Sequence, residues 1–396
     1  QTGDTMIVVH SSFAPQIIKR TGATTFTVSA FAFEEATNGE KVFQPYFKFA
    51  DSSITLDINQ TAKGQTGVTC TTSANYWTDT YVGKRIRYHG TELLITGFTS
   101  ATVVTATLKG DVSIELDEDP LKTTQGSGLV EVTMVAHGFA TGASITISGA
   151  EDIFDTDGAG LATANLNGTF SITVTDNNHF TYTAGSSDTA TESVDGGGVN
   201  VKISGHPPTK KWDEQVVCDV NGFPQTACFH EQRLYFGGTS GLPDGIQGSN
   251  IGNFFKFDVG IAEDDESIQI QIASDQINEI RHLVSGKNLQ ILTSTGEFYL
   301  RPPVSRPVTP TDIRIVNQSM FGSQARQFDN ATIFIQNNGK VAREYLYSES
   351  AEEYSTNSIS LLSSHLISNP VDSGKLSSVP DRTEQFYFLV NDDGTM

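Results

Sequence analysis

The stretch Asn221–Asp258 reads NGFPQTACFHEQRLYFGGTSGLPDGIQGSNIGNFFKFD. Gly222-Phe223-Pro224 spells a rigid turn before an apolar strand. Gln232-Arg233-Leu234-Tyr235-Phe236 reads as the next strand. Gly237-Gly238 is expected to end it tightly, because glycine adopts positive φ without steric cost. Gln247-Gly248-Ser249 and Phe254-Phe255-Lys256-Phe257-Asp258 read as a further strand pair. Arg233 is expected to act as a structural guanidinium satisfying carbonyls between blades, work that suits its planar fork.

The same signals run outward along the chain. Thr24–Phe33 (TTFTVSAFAF) opposes Phe26, Val28, Ala30 and Ala32 to Thr25, Thr27, Ser29 and Phe31, and Ser267–Ala273 (SIQIQIA) alternates likewise. Alternation of period two predicts half-buried strands. Asn38-Gly39, Asn167-Gly168, Asp195-Gly196, Asn221-Gly222, Asn338-Gly339 and Asp393-Gly394 mark tight turns between them. Helical periodicity is confined to a short run near Ile359–Ile367. Many short strands with frequent turns predict an all-β chain: a sandwich, barrel or propeller rather than a βαβ fold.

Composition divides the chain. At 396 residues it is long enough for two to four domains. Residues 61–110 hold thirteen Thr, and residues 111–204 hold fourteen acids against Lys122 and Lys202 alone. Expected boundaries fall near Gln60, Leu121 and Gly205. They delimit a first part (1–60), a small barrel (61–120), an acidic β module (121–204) and a second stretch of strands (205–396).

Charge and motifs exclude several functions. A formal net charge of −21 repels phosphates at long range. The 9% aromatic content argues against a disordered acidic chain. No apolar run is long enough to span a membrane as a helix. Cys70, Cys218 and Cys228 form no disulfide framework and read as free thiols, although Cys218 and Cys228 are close enough in sequence to meet across a hairpin. The beginning, QTGDTMIVVH, lacks signal-peptide features. With EQFYFLVNDDGTM ending on half a hairpin, the expectation is a piece of a longer chain. Asp155–Gly160 starts like a calcium loop, but Ala159 and Leu166 stand where ligands are required. Cys228 and His230 share a strand face without a second pair at zinc spacing. No nucleophile elbow, zincin helix, P-loop or dinucleotide fingerprint is present. Asp264-Asp265 alone does not define a glycosidase pair. The expectation is therefore no enzyme and no cofactor.

In order, Gly222, Pro224, Gln232, Arg233, Leu234, Tyr235, Gly237 and Gly238, with the Phe254–Asp258 run, resemble the nozzle proteins of short-tailed bacteriophages, also called tail tubular protein B. Asp264–Ile268, Ala273–Arg281, Leu292–Phe298, Pro310–Ile313 and Asn391–Gly394 are similar too, as is Asp4–His10 with Pro15. The likeness covers roughly residues 1–50 and 210–396. Between them, His137–Gly142 and Leu166–Phe170 resemble a small β module known from ubiquitin-activating enzymes and phage tails. No adenylation or thiol-transfer motif accompanies it. The resemblance implies a β-propeller body carrying inserted small barrel or sandwich modules. It implies six copies around a DNA channel in the virion tail, meeting an adaptor protein above and tail fibres or other tail proteins beside. Genomic DNA would pass without tight binding. Asp117, Glu118, Asp119, Glu263, Asp264, Asp265 and Glu266 are the acids expected at the channel or its rim. The alternative is a receptor- or glycan-binding tail protein whose modules expose Tyr76-Trp77 or Phe180 and Tyr182.

Overall fold

The structure, a computed structural model, describes residues 3–154, 160–185, 189–260, 265–273, 276–302, 308–317, 321–376 and 385–396. The described chain is nearly all β, in antiparallel sheets, with helix limited to single turns. It forms two compact units. One comprises residues 1–35, 42–45 and 216–396; the other comprises 36–41 and 46–215. The positions Gln60, Leu121 and Gly205 all lie inside the second unit.

In the first unit three four-stranded meanders follow one another. The first is built from Thr226–His230, Arg233–Thr239, Leu242–Gly248 and Ile268–Gln271. The second is built from Ile280–Ser285, Leu289–Thr293, Glu297–Leu300 and Ile313–Asn317. Phe321–Phe328, Ala331–Gln336, Ala342–Ser348 and Glu353–Ser358 make the third. A pair, Asp372–Leu376 with Phe386–Val390, comes after it, and a three-stranded sheet (Thr5–His10, Phe13–Arg20, Phe26–Ala30) precedes them all. The first strand of each sheet lies against the first strand of the next.

Stacking explains why the middle strands do not alternate. Arg233–Thr239 is buried at every residue. Leu234 and Phe236 face a cluster with Phe257, Phe31 and Phe33. Tyr235 faces the opposite way, into a core with Ile246 and Ile270 from its own sheet and Ile280, Leu289, Ile291 and Phe298 from the second meander. The second meander repeats this arrangement. Its Leu289 and Ile291 belong to that core, while Leu292 and Tyr299 join Phe334, Tyr345 and Tyr354 of the third. Gln290, on the same side as Leu292, accepts a hydrogen bond from Thr332 Oγ1 at 2.6 Å. Each fully buried Leu, Ile or Phe contributes roughly 1.5–3 kcal/mol. A sheet covered on both faces gains twice from the same backbone.

Several local expectations need correction. Gly237-Gly238 does not end its strand, which continues to Thr239. Instead Gly238 holds φ +73° at a register shift, where a Cβ would stand 2.2 Å from the Ile280 carbonyl oxygen. The glycine is there so that the second meander can approach. Phe254–Asp258 is not a strand. It is a loop whose Phe257 ring stacks on Phe236 at 5.0 Å. Phe26 and Val28 are exposed (64% and 67%), because Phe26–Ala30 is an edge strand; Phe31 and Phe33 beyond it are the residues that pack. Ile359–Ile367 contains one 3₁₀ turn, Ser364–Leu366.

The second unit contains a seven-stranded sheet ordered Tyr46–Phe47, Trp212–Gln215, Arg85–Tyr88, Thr91–Ser100, Val103–Leu108, Val68–Thr72, Leu56–Ile58. Leu56, on the last strand, exchanges two backbone hydrogen bonds with Thr209, just ahead of Trp212–Gln215 at the opposite end of the sheet, so the sheet curls back towards itself; the segment expected as a barrel over 61–120 also recruits strands from both of its sides. Residues 114–204 form a four-stranded and a five-stranded sheet around one core that includes Leu121, Val130, Ile145, Ile147, Phe180 and Tyr182. Residues 168–174 hold two short strands. Gly168–Ser171 pairs in one sheet and Thr173–Val174 in the other, with buried Ile172 between.

The Gly238 contact makes a quantitative prediction. Gly252, also at φ +73°, has nothing within 4 Å of its Cβ position. Gly252→Ala should cost about 1 kcal/mol from the left-handed backbone alone. Gly238→Ala should cost about 3 kcal/mol or more, since a backbone oxygen must also move. Denaturation followed by circular dichroism measures both; equal losses would contradict the packing described.

Candidate functional site

The signature residues lie along one hairpin, Thr226–His230 with Arg233–Thr239, with Gly222, Pro224, Gly237 and Gly238 at one end and Gln232 and Arg233 at the other. Asn221 through Pro224 forms a turn in which Cys218 and Gly222 exchange backbone hydrogen bonds. Gly222, at φ +93°, lies where a Cβ would meet Ser240. Glu231 and Gln232 both hold positive φ, so a two-residue hairpin is made without glycine or asparagine. Arg233 is buried, and its Nη1 donates to the carbonyls of Ser249 (2.6 Å) and Glu266. Both acceptors flank strands of Arg233's own sheet. The guanidinium therefore closes the excursion between the third and fourth strands of one meander.

The nominated acids fall in separate places. Asp117, Glu118 and Asp119 are exposed between Ile114–Glu115 and Leu121–Thr123 in the second unit. Asp119 is also structural, accepting from the Gly198 N–H at 2.9 Å. Asp265 is exposed and Glu266 half-buried in the first unit, where the Asp265 carbonyl accepts from Ile251 N–H. Glu263 and Asp264 lie outside the described residues, as does the 155–159 part of the calcium-like loop. None of the described nominated acids is on the adjacent first strands. Those four strands of the meanders and final pair carry Arg281, Arg326 and Lys375 against one acid, Asp372. Each cation has an acceptor. Arg281 lies 3.4 Å from Glu279, Arg326 donates to Ser373 Oγ (2.8 Å) and approaches Asp372, and Lys375 donates to the Gln327 carbonyl.

The aromatic platforms are not platforms. Trp77, Phe180 and Tyr182 are fully buried, and Tyr76 is partly so. All three cysteines are free. His230 Nδ1 is 3.0 Å from Ser285 Oγ, and burial holds its pKa down while pushing the Cys228 thiol up to about 11. Among the described residues no group of three or more His, Cys, Asp or Glu is placed to hold a metal ion.

One ionisable centre escaped the sequence reading. Glu214 is 1% exposed in the strand Trp212–Gln215. Tyr76 OH lies 2.6 and 2.7 Å from its two oxygens, and Tyr81 OH donates to Tyr76 at 3.0 Å. Trp77 and Trp212 enclose them, with ring centres 5.6 Å apart. Lys48 sits over the Trp212 ring and donates to the Ile54 and Lys210 carbonyls. Burial, and then the nearby Lys210, lowers its pKa. The available signal was the alternation itself: Glu214 shares a strand face with Trp212, an inward position for a carboxyl. On the outward face Arg87 grips Asp213 with two hydrogen bonds, 2.8 and 2.6 Å.

Burial lifts Glu214 to about 7, against the hydrogen bonds from Tyr76, Tyr81 and backbone N–H groups that favour the anion. The folded chain thus holds this proton more tightly than the unfolded chain. That stabilisation is complete below pH ~4.5 and is lost as pH rises towards 7. Glu214→Gln, permanently neutral, should gain about 3 kcal/mol relative to wild type between pH 4.5 and 8. The two tryptophans, Trp77 and Trp212, both border the site, so fluorescence-detected urea unfolding reads it directly. A difference that does not vary with pH would contradict the assignment.

No family model matches the chain, and no curated protein matches it. Among solved structures it is similar to one titled phage phi92 endosialidase, at 9% identity and a TM-score of 0.22. The match covers 93% of this chain and 54% of that one, so the chain spans about half the length of that structure. A likeness this loose carries no argument about fold or function.

Proposed function

We propose that this chain belongs to the tail of a short-tailed phage and builds a ring-shaped conduit through which genomic DNA is retained and ejected. One observation supports it most: consecutive four-stranded meanders in chain order, with their first strands side by side. That is the construction of a propeller, in which first strands line the centre. The ordered signature from Gly222 to Gly238 agrees with it. Under this reading low affinity is the function, because each phosphate contact adds a barrier to transit. The first-strand cations already have protein acceptors, and the acids on loops keep the polyanion off the rim. Of the aromatics nominated for the recognition alternative, Trp77, Phe180 and Tyr182 are buried and Tyr76 is half-buried.

The purified protein should leave duplex DNA unshifted at about 10 μM, where ordinary non-specific binders act. Asp117→Lys, Glu118→Lys and Asp265→Lys together should create salt-sensitive retardation and slow genome release from particles. Unchanged release would remove the acidic rim from the account. Binding of host-surface glycan by the wild-type chain would contradict the conduit and favour recognition.

A further inference from the structure

The segment 354–371, between the third meander and the final strand pair, contains no Asp, Glu, Lys or Arg in a chain of formal charge −21. At its tip Leu361 and Leu362 are 78% and 93% exposed, with Ile359, Leu366 and Val371 also exposed nearby. The projection is pinned. Ser360 is buried, its Oγ accepts from Ala342 N–H, and Ile359 N–H donates to the Ala342 carbonyl. On the far side Asn391 takes the Leu366 carbonyl and the Ser368 N–H. Ser363 N–H and Leu366 N–H close the turn between. The leucines therefore point outward from a hydrogen-bonded frame, forming an apolar patch of the kind that marks an interaction surface.

The same unit carries a recess of about 250 Å³, lined by Ile7, Ala227, Cys228, Phe229 and the fully buried Leu234. It has no charged lining residue and is roomy enough for a branched aliphatic side chain. Two copies carrying −21 each repel through most of their surface. Contact is least costly where neither partner presents a charge, and tip and recess are such places. We infer that the Leu361–Leu362 tip of one copy docks into the Ile7–Ala227–Phe229 recess of the next. Tip and recess are different surfaces, so each copy uses both and the contact is heterologous, propagating head to tail until the rotation closes a ring. This rests on the ring reading above and names the partner and the residues that meet.

The test compares the mass of the full 396-residue chain across concentrations, by sedimentation and mass photometry, with that of Leu361→Ser/Leu362→Ser. Both leucines are exposed, so folding should be unaffected. The assembly should weaken by roughly tenfold or more. Independently, Leu362→Cys with Ala227→Cys in a Cys228→Ser background should form disulfides between copies on oxidation, and neither new cysteine alone should. Wild-type assembly that persists unchanged in the serine variant, without crosslinks, overturns the docking and leaves the ring standing. A wild-type chain that stays monomeric overturns both. Vesicle binding by wild type that disappears in the serine variant assigns the tip to a lipid surface and overturns the docking.

Discussion

The first unit depends on one constraint: every central sheet must be covered on both faces by its neighbours. Arg233–Thr239 has no exposed residue, and Leu289–Thr293 none either. A two-sided sheet of this kind cannot stand alone, because one apolar face would be left in water. Tyr235 and Ile291 share one core, and Leu292 and Phe334 the next, so each meander is a necessary part of its neighbours' stability. The chain order of the sheets then becomes a spatial order, and successive first strands are brought together.

Close stacking sets the chemistry of the fine details. Gly238 lets the Ile280 carbonyl approach. Arg233, buried with the sheet, donates to the Ser249 and Glu266 carbonyls near the two ends of the long connection to Ile268–Gln271. The second unit uses a different device. Its seven-stranded sheet buries a carboxyl, Glu214, beneath tyrosine hydroxyls and indole rings, and so couples its stability to proton concentration. These are packing solutions, and they account for most of the residues that a motif-based reading singles out.

Legibility followed the number of covered faces. Ser267–Ala273 was readable by alternation, since Ile270 and Ile272 are buried and Gln269 and Gln271 half-buried. Phe26 and Val28 misled because alternation identifies a strand but not whether anything covers it, and this strand lies at an edge. Gly237-Gly238 reads as a stop in isolation; its actual cause, an oxygen some forty residues later in the chain, leaves no local trace. Arg233 was legible as a carbonyl-binding cation, but not which carbonyls it serves. Glu214 was missed because a single carboxyl in a strand looks solvated until its neighbours are known. The acids 117–119 and 265–266 were identified by their density, a quantity that says they are exposed and nothing about which surface they share.

The account rests on a rigid, closed arrangement of stacked sheets surrounding an open passage. Electron microscopy of the assembled protein, and of particles in which it is tagged, tests this most directly. The account predicts an annulus with a central hole, lying on the axis by which the genome leaves, with the first strands of the meanders innermost. Single copies or trimers on a peripheral appendage, or a solid particle without a hole, would contradict it.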